Sequence, residues 1–181
     1  MCDYKKILAA LDFSGPSHAA AREALALAAA MGAEVTLCHV IDSRYMGLSG
    51  VHIVEPFALQ EERLRKVAQR RMDQLVSEVP GAPEVRTALP VGIPCDEILA
   101  ERERWGADLV VLGTHGRTGL KRAIVGSQAE LVLGKCPVPV LIVHAPAKEA
   151  EPASTRKLDG AATSGRTGPS GDSRRDRGKR P

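Results

Sequence analysis

Apolar residues follow two rhythms along this chain. Ile7-Leu8-Ala9-Ala10-Leu11 is a short continuous run ending at Asp12, and it predicts a buried strand. Asp108-Leu109-Val110-Val111-Leu112, apolar after its first residue, and the run Val138 to Val143 predict two more. Glu34 to Ile41 predicts a second strand through Val35-Thr36-Leu37-Cys38-His39-Val40-Ile41, and Glu84 to Leu89 a weaker third. Between these runs the spacing becomes helical. Leu64, Val67, Ala68, Met72, Leu75, Val76 and Val79 recur on one stripe, while Glu61, Arg65, Gln69 and Asp73 fall outside it.

The helix boundaries are signalled by turn and capping residues. Ser14-Gly15-Pro16-Ser17 supplies a turn and a helix start, because proline's missing N–H has no partner in a first turn anyway. An alanine-rich helix runs on to about Met31, and Gly32 suits the position just past its end. Pro80-Gly81 stops the amphipathic helix, Pro94 to Trp105 forms another that Gly106 ends, and a last one covers about Gln128 to Leu133. Residues 42 to 56, with Gly47, Gly50 and Pro56, are expected to be irregular, as a functional or mobile loop.

The resulting order is β-α-β-α-β-α-β-α-β. The first, fourth and fifth strands are apolar runs without alternation, which points to a parallel sheet covered on both faces. Right-handed crossovers then give an α/β, doubly wound, five-stranded sandwich of three layers. Ligands in such sheets sit beyond the carboxyl ends of the strands, where the winding reverses. The first and fourth strands are the expected central pair. Asp12 and the loop after Leu112 therefore stand where chemistry is expected.

Composition narrows the function classes. The chain has 181 residues, 44% hydrophobic and 26% charged, enough for one core plus a tail. Aromatics are 3%, too few for a base-stacking platform. No apolar run reaches the ~18 residues of a membrane span, and Met1 to Lys6 lead into a strand without a signal-like apolar core. A cytoplasmic protein that binds neither membrane nor nucleic acid is the expectation. Net charge is +3, but 148–181 hold nine basic and five acidic residues, so the tail is +4 and residues 1–147 are −1. That tail is rich in Ala, Gly, Ser, Pro and Arg. It is expected to be a disordered basic tail (148–181) after a folded domain (1–147). Cys2, Cys38, Cys95 and Cys136 show no metal-ligand spacing. Cys95, near a helix start, could be an activated thiol or simply a small residue in a first turn.

The informative stretch runs from Gly113 to Ser127: Gly113-Thr114-His115-Gly116, then Gly119, then Gly126-Ser127. Spaced glycines let backbone N–H groups converge on one anion, and a helix N-terminus favours phosphate. Ser127-x-x-Glu130 also reads as a capping box that needs no ligand. Three other nucleotide or signalling folds fail on their residues. A receiver domain needs an acceptor Asp where Ala88-Leu89-Pro90 stand. A dinucleotide domain needs its glycines where Asp12-Phe13-Ser14-Gly15 stand. Gly119-Leu120-Lys121 does not make a Walker A loop.

Gly113-x2-Gly116-x9-Gly126-Ser127 resembles the ATP-binding signature of the universal stress protein family at every spacing. Asp12-x-Ser14-x-x-Ser17 resembles that family's first strand end, Cys38-His39-Val40 its second, and Cys136-Pro137-Val138-Pro139-Val140-Leu141-Ile142-Val143 its closing strand. The likeness covers residues 4 to 145. It implies the Rossmann-like fold of the adenine nucleotide alpha hydrolases and a site for ATP with Mg2+ or Mn2+. Asp12 would lie beside the ribose or a phosphate-bound metal, Val40 would offer backbone groups to adenine, and Gly113 would approach the ribose. Gly116, Gly126, Ser127 and Gln128 would hold phosphates. Gln128 and Ala129 stand where the family more often has Val followed by Ser or Thr. The resemblance also implies a homodimer through the charge-free edge strand Val138–Val143.

Three functions fit these residues. The first is a nucleotide-dependent regulatory module with no catalytic residue. The second is a slow ATPase or phosphotransferase with His115 as base, although an exposed loop histidine is more often only polar. The third is an interaction protein of the same fold that works without nucleotide.

Overall fold

A computed structural model describes residues 3–45, 56–114 and 126–144. The tail 148–181, His115, Gly116 and most of the glycine stretch lie outside the described residues.

Among the described residues seven strands and four helices follow in this order: β1 (Lys6–Ala10), α1 (Gly15–Met31), β2 (Glu34–Cys38), β3 (Ile41–Asp42), α2 (Phe57–Ser77), β4 (Val85–Ala88), β5 (Val91–Gly92), α3 (Pro94–Trp105), β6 (Leu109–Gly113), α4 (Ser127–Lys135) and β7 (Val140–Val143). A short 3-10 turn, Ser43–Tyr45, follows β3. The main sheet has five parallel strands in the order β4-β2-β1-β6-β7, and β3 and β5 form a separate parallel pair. The winding reverses between β1 and β6, as the sequence pattern requires. No helix among the described residues is long and apolar enough to cross a membrane.

The unbroken apolar runs exist because β1 and β6 bury both faces. Ile7, Ala9, Leu109 and Val111 pack with Ala21, Leu25 and Ala28 of α1 and Met72 and Leu75 of α2. Leu8, Ala10, Val110 and Leu112 pack on the other face with Ile98 of α3 and Val132 of α4. Each large aliphatic side chain so buried contributes about 1.5–3 kcal/mol. Asp108 joins the two central strands at their starts, its carboxylate accepting from the backbone N–H groups of Lys5 at 2.8 Å and Lys6 at 3.0 Å. The fully buried Glu101 of α3 pairs with Arg86 of β4 and with Arg104, fastening the edge strand to its covering helix.

Several boundaries differ from the sequence pattern. The second strand is not continuous to Ile41. It stops at Cys38, and the chain re-pairs only as β3. His39 and Ile41 donate to the carbonyls of Ala88 at 3.0 Å and Pro90 at 2.8 Å, and Pro90 has no N–H to return a bond. Val67, expected on the apolar stripe of α2, is 50% exposed, while Ala68, Met72 and Leu75 are buried. The last strand is shorter than Val138–Val143, because its ladder with β6 begins at Val140. Gly32 and Gly106 end α1 and α3 in the left-handed conformation, at φ 66° and 75°.

Candidate functional site

The carboxyl ends of β1, β2 and β6 open into a cavity of about 530 Å³, within the range of small-molecule sites. Three segments form its floor: Leu11-Asp12-Phe13 after β1, His39-Val40 after β2 and Leu112-Gly113 at the end of β6. The first turn of α4, Gly126 to Ala129, forms one wall. Side chains of α2, among them Gln60, Leu64 and Arg71, form the opposite one. Six of the seven residues singled out from the sequence thus line one space: Asp12, Val40, Gly113, Gly126, Ser127 and Gln128. Gly116 lies outside the described residues.

Each floor residue has a local cause. Asp12 Oδ1 accepts from the backbone N–H of Ser14 at 3.0 Å and from its hydroxyl at 2.6 Å, so the carboxylate is oriented by the turn that starts α1. Ser14 caps that helix, with its side chain accepting from Ser17 N–H, and Ser17 Oγ returns to the Ser14 carbonyl at 3.0 Å. Val40 sits in the gap between β2 and β3. His39 and Ile41 donate toward the β4 side. Strand alternation therefore turns the Val40 N–H and C=O toward the space that β1 vacates when the chain bends at Asp12. Leu11 N–H still donates to Cys38 O at 2.8 Å, which marks the last ladder bond before that bend.

Gly113 has a structural reason of its own. A Cβ there would stand 2.5 Å from the Pro16 carbonyl carbon and 2.7 Å from Ser17 N, so α1 packs directly on its backbone. Gly126 is different. Its φ of −70° and ψ of 151° suit any residue.

The start of α4 corrects the capping-box expectation. Gly126 is the N-cap and Ser127 the first helical residue, and among the described residues no side-chain hydrogen bond caps the helix. Ser127 thus stands one residue past the cap position from which a hydroxyl accepts from a first-turn N–H. Glu130 N–H bonds to the Gly126 carbonyl at 2.9 Å, which leaves the preceding N–H groups of the first turn at the cavity wall. Of the two readings of Cys95, the small residue in a first turn holds. It is 2% exposed in the first turn of α3, and burial pushes its thiol up, opposite to activation. Burial likewise pushes Cys38 up to about 12.

Several cavity groups escape sequence reasoning. Phe13 holds φ 63°, a left-handed conformation that costs a bulky residue of order 1–3 kcal/mol. Its ring packs on His39 with centroids 4.5 Å apart, and the Arg71 guanidinium lies 4.7 Å from its centroid. His39 Nδ1 lies 2.7 Å from the Leu11 carbonyl oxygen, which fixes the ring. On α1, burial and then the charge of Arg71 lower the pKa of His18. Asp42 lines the cavity but is held by Arg44 through Nε and Nη2 at 2.9 and 2.6 Å, and those bonds lower its carboxyl below the usual range. The cavity therefore combines an uncapped helix start, an oriented carboxylate, a turned-in backbone segment and an arginine over an aromatic ring. That set suits a ligand with a flat polar edge and an anionic end.

Comparison with known proteins agrees with this geometry. The model of the universal stress protein family matches residues 3–144. The chain is 34% identical to the universal stress protein MJ0577 of Methanocaldococcus jannaschii over 77% of this chain and 94% of that one. It is 37% identical to MJ0531 of the same organism, over 81% and 85%. The solved structure of MJ0577 superposes with a TM-score of 0.67 at 33% identity, covering 79% of this chain and 97% of that one. A universal stress protein of Archaeoglobus fulgidus, solved in complex with dAMP, shares the fold at 23% identity and a TM-score of 0.54, covering 78% and 99%.

Proposed function

We propose, for a chain that belongs to the universal stress protein family, that this cavity binds an adenine nucleotide, ATP with a divalent cation, and that occupancy makes the protein a nucleotide-dependent binding module. The observation that carries the reading is the uncapped start of α4 at the cavity wall. Its first-turn N–H groups and helix dipole favour phosphate, and Gly126 leaves room for close approach. The Val40 backbone, turned in at the end of β2, presents one donor and one acceptor side by side, the pattern that the edge of adenine matches. Gly113 and Asp12 lie between these two ends, where the ribose would sit. Gly116 belongs to the same signature.

The cavity fits a nucleotide-borne cation better than a resident one. The described residues contain no group of three His, Cys, Asp or Glu side chains placed to hold a metal. Asp12 lines the cavity at the end of β1 with its carboxylate oriented by Ser14, and we assign the cation to it. Asp12 would then be its one protein carboxylate, and the nucleotide's own phosphates would supply most of the charge that holds it. We assign no catalytic residue. Binding of ATP would shift the chain toward a state that partners recognise, in proportion to its differential affinity for that state.

The test is direct. Nucleotide extracted from freshly purified protein should be an adenine nucleotide, and millimolar MgATP should raise the melting temperature by mass action. An unchanged melting curve together with no heat in titration calorimetry would overturn the reading.

We further propose that two copies pair through β7. The strand is the sheet edge, its four residues are half-buried, and it carries no charge to discourage pairing. A two-fold axis lets one patch serve both subunits. Val140→Lys should give a folded monomer that still binds ATP. An unmodified protein that scatters light as a monomer at tens of micromolar contradicts this pairing.

A further inference from the structure

Gln128 is the second residue of α4, it lines the cavity, and its Oε1 is buried with no hydrogen-bond partner. Glu101 Oε2 shares that status among the described residues, but it lies against Arg104 in an ion pair. A buried acceptor left without a donor is costly, so a turn of this side chain into the adjoining cavity, where a ligand supplies the donor, would relieve it.

We propose that Gln128 reads the sugar of the bound nucleotide, its side-chain oxygen accepting a hydrogen bond from a ribose hydroxyl. The inference rests on the nucleotide reading above. The choice of group follows from chemistry and placement. Phosphate oxygens only accept, so they repel Oε1. The remaining donors are the amino group of the base and the two ribose hydroxyls. The base is assigned to Val40 at the end of β2. α4 lies on the other side of the winding reversal, leading into β7, two strands beyond β1. The amino group is thus at the wrong end of the cavity. The ribose lies between base and phosphates, next to the helix start that holds the phosphates. An aliphatic side chain at this position could not make the contact, so the reading belongs to the amide of Gln128 itself.

Rotation of the amide would present Nε2 to a phosphate instead, and the two arrangements give different losses. The full chain and Gln128→Met would be titrated with the magnesium complexes of ATP, 2′-deoxy-ATP and 3′-deoxy-ATP. The unmodified protein should prefer ATP over one of the deoxy analogues by about tenfold. Gln128→Met should weaken ATP by about that factor, leave that analogue unchanged and so erase the preference. Its melting temperature without ligand should hold or rise, because an orphaned polar group is gone. Gln128→Glu, which keeps an acceptor, should retain the sugar preference at lower affinity for all three, and it serves where the Met variant fails to fold. Equal loss for all three nucleotides in Gln128→Met would assign the amide to phosphate and overturn the proposal alone. So would an unmodified protein indifferent to both hydroxyls. Failure of every nucleotide to bind the unmodified protein would remove the nucleotide reading and this one with it.

Discussion

Two helices begin at the rim of one cavity and begin differently. α1 closes its own N-terminus. Ser14 caps it, Ser17 bonds back to Ser14, and the Asp12 carboxylate takes both the N–H and the hydroxyl of Ser14. α4 starts on Gly126, and among the described residues no side-chain hydrogen bond caps its first turn. A helix end with glycine at the cap position is less stable than a serine-capped one by only about a few tenths of a kcal/mol. The difference shows how one crevice divides its work. The capped end fixes a carboxylate in place, and the uncapped end keeps its donors for a ligand.

The largest effect expected from breaking this contrast is at Gly126. Its backbone is extended, so Gly126→Val brings no conformational strain, and the fold should survive. The branched side chain would occupy the approach to the α4 N–H groups. MgATP binding should vanish from titration calorimetry while the circular dichroism spectrum stays unchanged. A Val variant that binds ATP normally removes Gly126 from the site.

Gly113 faces the capped helix and should respond in the opposite sense. Gly113→Ala sets a Cβ against the Pro16 and Ser17 backbone, which has no flexible side-chain end to move aside. Overpacking of this kind costs about 1–3 kcal/mol. Denaturant melts should show that loss, and ATP affinity should fall with it because Asp12 rides on the displaced turn. Unchanged stability would mean that α1 does not rest on Gly113 as described.

The two serines sharpen the comparison further. Ser14→Ala should cost about 1 kcal/mol of stability through the lost cap. Ser127→Ala, at the first helical position of α4, should cost only a few tenths, in line with an exposed site outside any cap. Its effect should appear in ATP affinity instead. Equal destabilisation by both would restore the capping box that α4 lacks here.

These sites were legible in the sequence to different degrees, for physical reasons. β1 and β6 read plainly because burial on both faces demands apolar residues at every position. β4 read weakly because it is an edge that carries the partly exposed Arg86. The break at Val40 was hidden, since Val40-Ile41 continue a strand-like run. Pro90 on the neighbouring segment was the available signal, because it cannot donate to a ladder. The phase of α4 was misread by one residue. Ser127-x-x-Glu130 fits a capping box, but the extended Gly126 takes the cap position. Phe13 could not be foreseen in the left-handed region, which phenylalanine rarely enters. No motif in the sequence marks Arg71, which the packing of α2 over the bend after β1 brings to Phe13.

The smallest effect separates the two helix starts by pH. His18 lies in the first turns of α1, 6.4 Å from the Phe13 ring by centroids. Burial, then the positive charge of Arg71, lower its pKa below the usual 6.5, while Glu78 opposes them weakly. A histidine with a lowered folded-state pKa binds fewer protons folded than unfolded. Stability therefore rises with pH between the folded-state value and 6.5, and it is lost as pH falls through that window. The carboxylates Asp42, Glu62 and Glu78 are lowered from ordinary values of 3.8 to 4.5, so their own losses come at more acidic pH. His18→Gln removes the first titration and leaves those. Melting temperatures of the two proteins, followed from pH 7.5 downward, should converge as the unmodified chain loses its advantage below ~6.5. Since His18 is only partly buried, screening keeps the difference to a degree or two. Parallel curves through this window would show that burial and Arg71 do not together hold His18 below its usual value.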